Sequence, residues 1–381
     1  MGNKTLMDYF SVVHDPRIDR MKRHNLIDIL VMAVCGVLSG FDDMTDIADY
    51  AEEKQEWFST FLELPNGVPS HDTFSRVFAL IDPESFQQAF LEWLASIKMT
   101  SDLREIVSVD GKVLRGALRR SGVSKSAIAI VSAWSHEAGL CVGQTRYEAK
   151  KEEGEKRAME SLLDKIFIKG TIVTLDAGGA TPRIADKIVE KGGDYMIGLK
   201  GNQDTVFKYA QNIFKKQLAV PLSFKTEEKS HGRKESREYT QVSLDDIDYQ
   251  NMPVEFLNLF MSKWPHLNSF IQVDTSREFN GEKSQETRWY FSSLKENVDE
   301  AARAIRAHWG IENSLHHVLD VTFREDHARI HLQHGAENMA FLRRMALNML
   351  KTQDPKLSFK RKRNRCNWSN KYLEETLFAQ I

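Results

Sequence analysis

Apolar residues recur at helical spacing through the first part of the chain. Between positions 26 and 38, seven of them fall three or four residues apart, which is the period of one helix face: Leu26, Ile29, Leu30, Ala33, Val34, Val37 and Leu38. Further amphipathic runs cover residues 46–61, 74–80 and 86–94, with a loop at 65–70. These runs predict an all-α domain over residues 1–98.

A different pattern begins after the polar residues 99–105. Short runs rich in Val, Ile and Leu, bounded by Gly or charged residues, predict β-strands at 106–109, 127–134, 140–144, 171–175 and 194–199. Residues 155–165 and 182–191 lie between these strands and have the helical period. This order of elements predicts an α/β core with a mixed sheet, in a domain that we place at residues 103–352.

The pattern changes again inside this domain. Residues 204–216 predict one more helix, and after them polar and apolar residues alternate, most clearly at 236–242, 269–273 and 287–291. Residues 204–295 are therefore expected to form a β-rich insertion. The helical period returns at Asn297 and continues to about Lys351. Residues 353–381 contain the run KLSFKRKRNR and are predicted to form a basic C-terminal tail.

Composition gives the whole chain no strong charge bias. Its 381 residues carry a formal net charge of −2, so any contact with nucleic acid must come from local basic patches. The three cysteines lie far apart, which predicts neither a disulfide framework nor a cysteine zinc site and fits a reducing cytosol. The charged start of the chain predicts no signal peptide. The longest apolar run, residues 27–38, is too short for a bilayer, so no membrane partner is expected.

Three carboxylates stand at positions that suit a metal site. Asp110 and Asp176 each end a predicted strand and are followed closely by glycine, and Glu312 lies in a predicted helix at residues 301–319. Hard anionic oxygens are ligands that suit a divalent metal ion, and a small ligand set leaves room for substrate oxygens. The alternative for each aspartate is an ordinary turn residue, which is the commoner role of Asp before Gly.

The helix that carries Glu312 has a second notable feature. Ionisable residues recur every four positions and would share one helix face: His308, Glu312, His316 and Asp320. The alternative is a solvated stripe. The spacing is not the HExxH arrangement, so a zinc hydrolase built on His308 and His316 is disfavoured.

Several basic and polar residues are candidate DNA contacts, because phosphate oxygens accept hydrogen bonds from such side chains. Three of them, Lys112, Arg115 and Arg119, follow Asp110, and three more, Lys200, Asn202 and Gln203, follow the strand at 194–199. The others are Arg233 in the insertion, His308 beside Glu312, and Lys360 and Arg361 in the basic run. The alternatives are a capped loop for residues 200–203 and a solubilising tail for the basic run.

Long motifs in this chain resemble one known family. The stretches VDGK, VTLDA, GGDYMIGLKGNQ, SHGRKESR and HWGIENSLHHVLDVTFREDHAR are similar to those of the H-repeat-associated family of bacterial insertion-sequence transposases. This family is of the DDE class, with a ribonuclease-H-like catalytic core. Near the amino terminus, DPR at 15–17, LSG at 38–40 and VPSHDTF at 68–74 resemble the helical domain associated with that core. The resemblance covers nearly the whole chain.

The resemblance implies a set of roles. Asp110, Asp176 and Glu312 would form the acidic triad, with Mg²⁺ as the metal and Mn²⁺ able to substitute. The activity would be DNA strand cleavage and strand transfer at element ends, acting on terminal repeats and target DNA in the bacterial cytoplasm. A homodimer on DNA is a further expectation. The rival hypotheses are a catalytically decayed DNA-binding remnant and a general metal-dependent DNA nuclease.

Two departures from the family pattern bear on these hypotheses. Where relatives often have Met-Gly-Cys-Gln or a similar stretch after the second aspartate, this chain has Gly-Gly-Ala-Thr at 178–181. The wider class often has arginine four residues before the glutamate and lysine seven residues after it, where this chain has His308 and Leu319. The first departure favours the remnant hypothesis, since a polar glutamine is missing there.

Overall fold

The structure is a computed structural model that describes residues 4–97, 103–115, 128–149, 153–230, 232–247, 264, 266–330 and 332–378. Two compact units are present, and each contains segments that are distant in sequence. The first unit comprises Met1–Thr100, Gly111–Ala158 and Glu312–Ile381, and the second comprises Ser101–Asp110 and Met159–Ile311.

The regular elements follow the predicted order. The helices are α1 (Leu6–Phe10), α2 (Leu26–Ser39), α3 (Met44–Glu53), α4 (Gln55–Phe58), α5 (His71–Leu80), α6 (Pro83–Ser96), α7 (Gly154–Lys165), α8 (Pro182–Glu190), α9 (Asp204–Lys216), α10 (Val298–Ile311), α11 (His317–Val321), α12 (Gly335–Lys351), α13 (Phe359–Trp368) and α14 (Asn370–Leu377). The strands are β1 (Ile106–Val113), β2 (Ile128–Ser135), β3 (Leu140–Glu148), β4 (Ile172–Leu175), β5 (Asp194–Leu199), β6 (Leu222–Ser230), β7 (Arg233–Ser243), β8 (Ser269–Phe279) and β9 (Glu282–Ser292).

The described strands form a nine-stranded mixed sheet in the order β3-β2-β1-β4-β5-β9-β8-β7-β6. Strands β1, β4 and β5 run parallel, whereas β2 and β3 form an antiparallel hairpin. A hairpin followed by parallel strands that are joined through helices is the ribonuclease-H-like arrangement. The predicted α/β fold class, with helices before the core, is therefore confirmed.

The β-rich insertion continues this sheet at one edge. Strands β6 to β9 are consecutively antiparallel, and β9 pairs with β5 from Met196↔Ser292 to Leu199↔Trp289. The sequence predicts only parts of β7, β8 and β9 and misses β6 entirely. Strand β6 is largely exposed, so its sequence, LSFKTEEKS, lacks the apolar alternation that marks a half-buried strand.

Helix α2 is the centre of the first unit. Nearly all of its residues are buried, because α1, α3, α12, α13 and α14 all pack around it. A helix that is apolar on every side is expected at such a position. It has 14 residues, and no helix within the described ranges is long and apolar enough to cross a membrane.

The C-terminal segment is folded through Leu377, where the sequence predicts a basic tail. Helices α13 and α14 pack on α2, and two cations of the basic run are buried beneath them. Lys362 donates from Nζ to the Leu350 carbonyl at 2.8 Å. Arg363 pairs with Asp42 at 2.7 Å. Some side chains of the basic run therefore bind partners inside the protein, and others face solvent. The composition of the run alone does not distinguish them.

Helix α10 provides the core of the second unit. Its inward residues are small, with Ala301, Ala302, Ala304 and Ala307 buried against the sheet, so the helix approaches the strands closely. The contacted strands include β4, β5, β6 and β7. This packing holds the last turn of α10 against the strand that ends beside Asp176.

A core substitution tests the packing of the first unit. Phe341 of α12 is 2% exposed, and its ring centroid lies 5.9 Å from that of Phe86 and 5.6 Å from that of Phe90. We expect Phe341→Ala to lower the free energy of unfolding by about 3–5 kcal/mol, because it removes apolar contacts and leaves a cavity. Denaturant unfolding monitored by circular dichroism measures the loss. The same substitution at Phe167, which is 81% exposed, is the control and should change it by less than about 0.5 kcal/mol.

Candidate catalytic site and nucleic-acid contacts

Two of the predicted carboxylates lie side by side in the second unit. Strands β1 and β4 pair in parallel, and the last paired residues are Val109 and Leu175. Asp110 and Asp176 each follow one of these residues, and both are half-buried. Because parallel strands end at the same edge of a sheet, the two carboxylates lie in the same crevice. The strand register thus places the two aspartates at neighbouring strand ends, and their role as metal ligands stays a prediction.

The glycines after Asp176 orient its carboxylate. Oδ1 of Asp176 accepts hydrogen bonds from the backbone N–H groups of Gly178 and Gly179, each at 3.0 Å. A Cβ atom at Gly179 would lie 2.7 Å from the sulfur of Met159, which is closer than a normal contact. Thr181 then caps α8 by accepting from the N–H of Ile184 at 3.2 Å. The Gly178–Thr181 stretch, which departs from the family pattern, thus holds Asp176 in a defined orientation.

Glu312 begins an irregular part of the helix. Helix α10 ends at Ile311, Glu312–His316 forms a π-helical turn, and α11 follows. The sequence predicts one continuous helix with ionisable residues on a single face. The helical stretch over 301–319 is confirmed, but the single face is not, because a π turn has a wider hydrogen-bond spacing than an α-helix and changes the register of the residues after it. The Glu312 side chain is exposed.

The donor chemistry of the two aspartates fits a hard divalent cation. Each of the two residues follows the last paired position of its strand at the same sheet edge and is only half-buried, and carboxylate oxygens are ligands that such a cation prefers. Among the described residues, no group of three or more His, Cys, Asp and Glu side chains has an arrangement that would hold a metal ion. Of the three predicted metal ligands, the strand register therefore places Asp110 and Asp176 next to each other.

His308 is fixed by a chain of hydrogen bonds behind this crevice. The Thr174 hydroxyl donates to Oγ of Ser108 at 2.9 Å, and the Ser108 hydroxyl donates to the Ala307 carbonyl at 3.4 Å. Oγ1 of Thr174 therefore accepts from Nδ1 of His308, also at 2.9 Å. This places the imidazole proton on Nδ1 and leaves Nε2 as an acceptor.

The charge state of His308 agrees with this assignment. Burial lowers the pKa of the imidazole, although the Asp176 carboxylate opposes the shift. A neutral ring is favoured near pH 7. His308 was predicted as a DNA contact, and the structure instead gives it internal hydrogen-bond partners next to the strand of Asp176.

Lys112 is also internal rather than exposed. Its side chain is 10% exposed, and its ammonium group pairs with Asp320, with Glu325 at 3.0 Å and with Asp326 at 3.6 Å. The phosphate contact that the sequence predicts for Lys112 is thus not supported, because carboxylates of the first unit already surround the cation.

Glu325 is the most deeply buried member of this group. Burial alone would raise the pKa of its carboxyl, but the charges of Arg344, Lys112 and Arg343 outweigh burial and lower the pKa from 4.5 to about 2. The Arg344 guanidinium donates to Glu325 at 2.8 Å, and both side chains are almost completely buried. A charge in such a place is stable only with its partners.

The remaining candidate DNA contacts are distributed over several elements. Arg115 is 83% exposed and lies 3.7 Å from Asp326, and Arg119 lies outside the described residues. Lys200 is exposed after β5, Asn202 lies in the short 3-10 turn Gly201–Gln203, and Gln203 donates to the Ala180 carbonyl at 3.3 Å. The last contact brings the 200–203 turn to the loop that follows Asp176.

Three further candidates lie on exposed surfaces. Arg233 is 46% exposed at the start of β7 and pairs with Glu235. Lys360 and Arg361 are exposed on α13, immediately before the buried Lys362 and Arg363. The helix thus presents part of the basic run to solvent.

Sequence reasoning missed a ladder of arginine and glutamate side chains in the second unit. It connects α10 to the insertion, through pairs of 2.5–3.6 Å among Arg306, Glu228, Arg237, Glu235, Arg277, Glu286 and Arg288. At its end, the Arg288 guanidinium lies 4.4 Å from the ring centroid of Trp309. The signal was the alternation of charge along β7, β8 and β9, which becomes meaningful only once the strand register is known.

Comparison with known proteins identifies the class. Residues 7–94 match the family described as DDE_Tnp_1-associated, and residues 101–349 match the family described as Transposase DDE domain. The chain therefore belongs to the DDE transposase family, in its H-repeat-associated group. The predicted family is confirmed.

Individual relatives agree along nearly their full lengths. The chain is 38% identical to the Escherichia coli O157:H7 protein named “Putative transposase YncI”, over 99% of this chain and 95% of the relative. It is 33% identical to the Escherichia coli K12 protein named “H repeat-associated putative transposase YhhI”, over 99% of this chain and 98% of the relative. A cryo-EM structure of piggyBac transposase with hairpin DNA covers 98% of this chain and 80% of its own, at 10% identity and a TM-score of 0.44, which is too distant to support an argument.

The buried Glu325–Arg344 pair has a measurable consequence for stability. We expect Glu325→Gln to lower the free energy of unfolding at pH 7 by about 3–5 kcal/mol, because it leaves the Arg344 charge buried without its carboxylate. The folded-state pKa of Glu325 lies below its ordinary value, so its contribution is complete above about pH 4.5 and is lost as the pH falls toward 2. The difference between parent and variant should shrink across that range in denaturant unfolding.

A matched substitution controls for the loss of a carboxylate. Glu153 is 67% exposed and pairs with Arg157 at 3.1 Å on the surface. We expect Glu153→Gln to change the unfolding free energy by less than about 1 kcal/mol. Equal losses in the two variants would contradict the special role of the buried pair.

Proposed function

We propose that this protein is a DDE transposase that catalyses metal-dependent cleavage of DNA strands and their transfer at the ends of an insertion sequence. The observation that carries the proposal is the register of β1 and β4, which delivers Asp110 and Asp176 to one edge of the sheet. Family membership supplies the substrate class, and the two aspartates supply ligands of the required chemistry.

In this proposal Asp110, Asp176 and Glu312 hold Mg²⁺, and Mn²⁺ can substitute for it. The bound metal supplies activation of a water or 3′-hydroxyl and stabilisation of the leaving oxygen of a phosphodiester. Asp176 is held in position by the N–H groups of Gly178 and Gly179. His308 keeps a neutral imidazole against β4, and its role is to support the Asp176 strand rather than to contact phosphate.

The reaction has two phosphoryl-transfer steps. In cleavage, water attacks the phosphorus at the element end, the bond to the 3′-oxygen breaks, and a 3′-hydroxyl and a 5′-phosphate result. In strand transfer, that 3′-hydroxyl attacks a phosphodiester of the target, and the 3′-oxygen of the target leaves. One bond forms and one breaks in each step, so no external energy source is needed.

DNA would reach the carboxylates along a set of basic and polar residues. We assign phosphate contacts to Arg115, Arg119, Lys200, Asn202, Gln203, Arg233, Lys360 and Arg361, and the ligands are the terminal repeats and target DNA. Two DNA ends require two catalytic sites, so a homodimer on DNA is part of the proposal. The protein would act in the bacterial cytoplasm, where it binds the nucleoid.

Replacement of the carboxylates tests the catalytic assignment. We expect Asp110→Asn, Asp176→Asn and Glu312→Gln each to lower the cleavage rate at least about a thousandfold, a loss of ~4 kcal/mol of barrier stabilisation. The assay uses a labelled DNA end with its flanking repeat, in Mg²⁺, Mn²⁺ or EDTA. DNA binding, measured by fluorescence anisotropy, should persist because these residues hold metal rather than the DNA backbone.

The control and the alternative outcomes follow from the same assay. Asp164→Asn removes a surface carboxylate paired with Lys187 at 2.6 Å and should cut at the parental rate. Cutting without sequence preference or strand transfer would indicate a general nuclease. Binding without cleavage in the parent would indicate a decayed remnant. Undiminished cutting by the triad variants would refute the catalytic assignment.

The exposed part of the basic run gives a separate prediction. We expect the double variant Lys360→Gln, Arg361→Gln to bind DNA more weakly and to reduce the slope of log affinity against log salt by about 2, because each lost phosphate contact removes about one released counterion. The matched control is Lys215→Gln, Lys216→Gln, which removes two exposed charges from α9. Identical salt slopes in the two double variants would count against a DNA contact on α13.

A further inference from the structure

Lys112 occupies an unusual electrostatic position in the first unit. Three carboxylates, those of Asp320, Glu325 and Asp326, lie within 3.6 Å of its ammonium group, and the side chain is 10% exposed. An ammonium group that pairs with three carboxylates, with so little exposure, is strongly held in place. Its position along the chain places this arrangement next to the proposed metal ligands.

Lys112 and Asp320 each lie a few residues after a proposed metal ligand in the sequence. Lys112 lies two residues after Asp110 on the same strand, β1. Asp320 lies in α11, which directly follows the π-helical turn that begins at Glu312. The ion pair between Lys112 and Asp320 therefore joins the strand end after one proposed ligand to the helical segment after another.

Glu325, the second carboxylate partner of Lys112, is held in the core of the first unit. Glu325 accepts from Arg344 at 2.8 Å, and Arg344 also donates to the Ser132 hydroxyl of β2 at 3.2 Å. The residue before Glu325, Arg324, has a left-handed backbone (φ 50°, ψ 35°). Such a conformation is unfavourable for a side chain with a Cβ and persists only where surrounding contacts hold it. The turn that presents Glu325 to Lys112 is thus maintained by the network.

We propose that Lys112 is a positioning residue for the carboxylate site, because it ties the strand end after Asp110 to the segment after Glu312. This inference rests on the proposed function. Lys112 itself touches neither the substrate nor the metal. Its loss would leave Asp320 without this tether and would relax the geometry of both segments.

The rival explanation is the phosphate contact that the sequence predicts for Lys112. The two roles differ in what they change. A phosphate contact contributes to DNA affinity and to its salt dependence, whereas residues that orient metal ligands typically change metal affinity or activity by about 10–100-fold when they are replaced. Metal affinity measured in the absence of DNA therefore separates them.

The experiment uses the full chain and compares Lys112→Met, Lys112→Arg and Asp320→Asn with the parent. Mn²⁺ affinity is measured by electron paramagnetic resonance, and kcat and KM are measured for cleavage of the labelled DNA end. We expect Lys112→Met and Asp320→Asn to weaken Mn²⁺ binding by at least about tenfold and to lower kcat with little change in KM. Lys112→Arg keeps the charge and should recover most of the loss.

Lys187→Met is the matched control. Lys187 is 20% exposed and pairs with Asp164 at 2.6 Å on the surface of the second unit, so its replacement removes a comparable lysine–aspartate pair. Mn²⁺ affinity and kcat should stay parental in this variant. Circular dichroism shows whether each variant is folded. If Lys112→Met does not fold, the test uses Asp320→Asn, because Asp320 is 33% exposed and its replacement is better tolerated.

The outcomes separate this proposal from the proposed function. Parental Mn²⁺ affinity in folded Lys112→Met and Asp320→Asn, with weaker and less salt-dependent DNA binding in the former, would overturn the positioning role and establish a phosphate contact. A parent protein that binds no Mn²⁺ and cuts no DNA would overturn the proposed function and this inference with it.

Discussion

The parallel pairing of β1 with β4 is the constraint on which the candidate site depends. It sets Val109 opposite Leu175, so the next residue of each strand is an aspartate at the same sheet edge. A slip of one residue would point one carboxylate to the other face, because side chains alternate along a strand. Buried neighbours on both strands hold this register, and the hydrogen bonds from Ser108, Thr174 and His308 cross it directly behind the carboxylates.

Networks of buried or half-buried ion pairs connect separate segments within each of the two units. In the first unit, Lys112 and Arg344 both pair with Glu325, close in sequence to the segments that follow two proposed metal ligands. In the second unit, the arginine–glutamate ladder joins the last turns of α10 to the insertion. Such networks stabilise little on their own, because desolvation offsets the attraction. We infer that their effect is to favour one arrangement of the segments that they join.

Sequence reasoning succeeded where local pattern decides the outcome. The strand at 194–199 and the helix at 204–216 have the bounds that the apolar period predicts. It failed where partners distant in sequence decide. Lys112 resembles a DNA contact until Asp320 and Glu325 are known to surround it, and Lys362 and Arg363 resemble a solvated tail until α2 is known to lie beneath them. The helix through Glu312 was predicted, but the single face of ionisable residues was not confirmed, because the apolar period alone does not predict a π turn.

The amino-acid sequence by itself determined the order of the strands and helices other than β6, the family, and the choice of the three candidate carboxylates. Short-range periodicity and motif residues contain that information, since they reflect which face of each element is buried. Only the tertiary structure decided the strand register that aligns Asp110 with Asp176, the hydrogen-bond chain that sets the His308 tautomer, and the division of basic residues between internal pairs and solvent. A charged side chain looks the same in sequence whether water or a buried carboxylate is its partner, and only the folded chain supplies that partner.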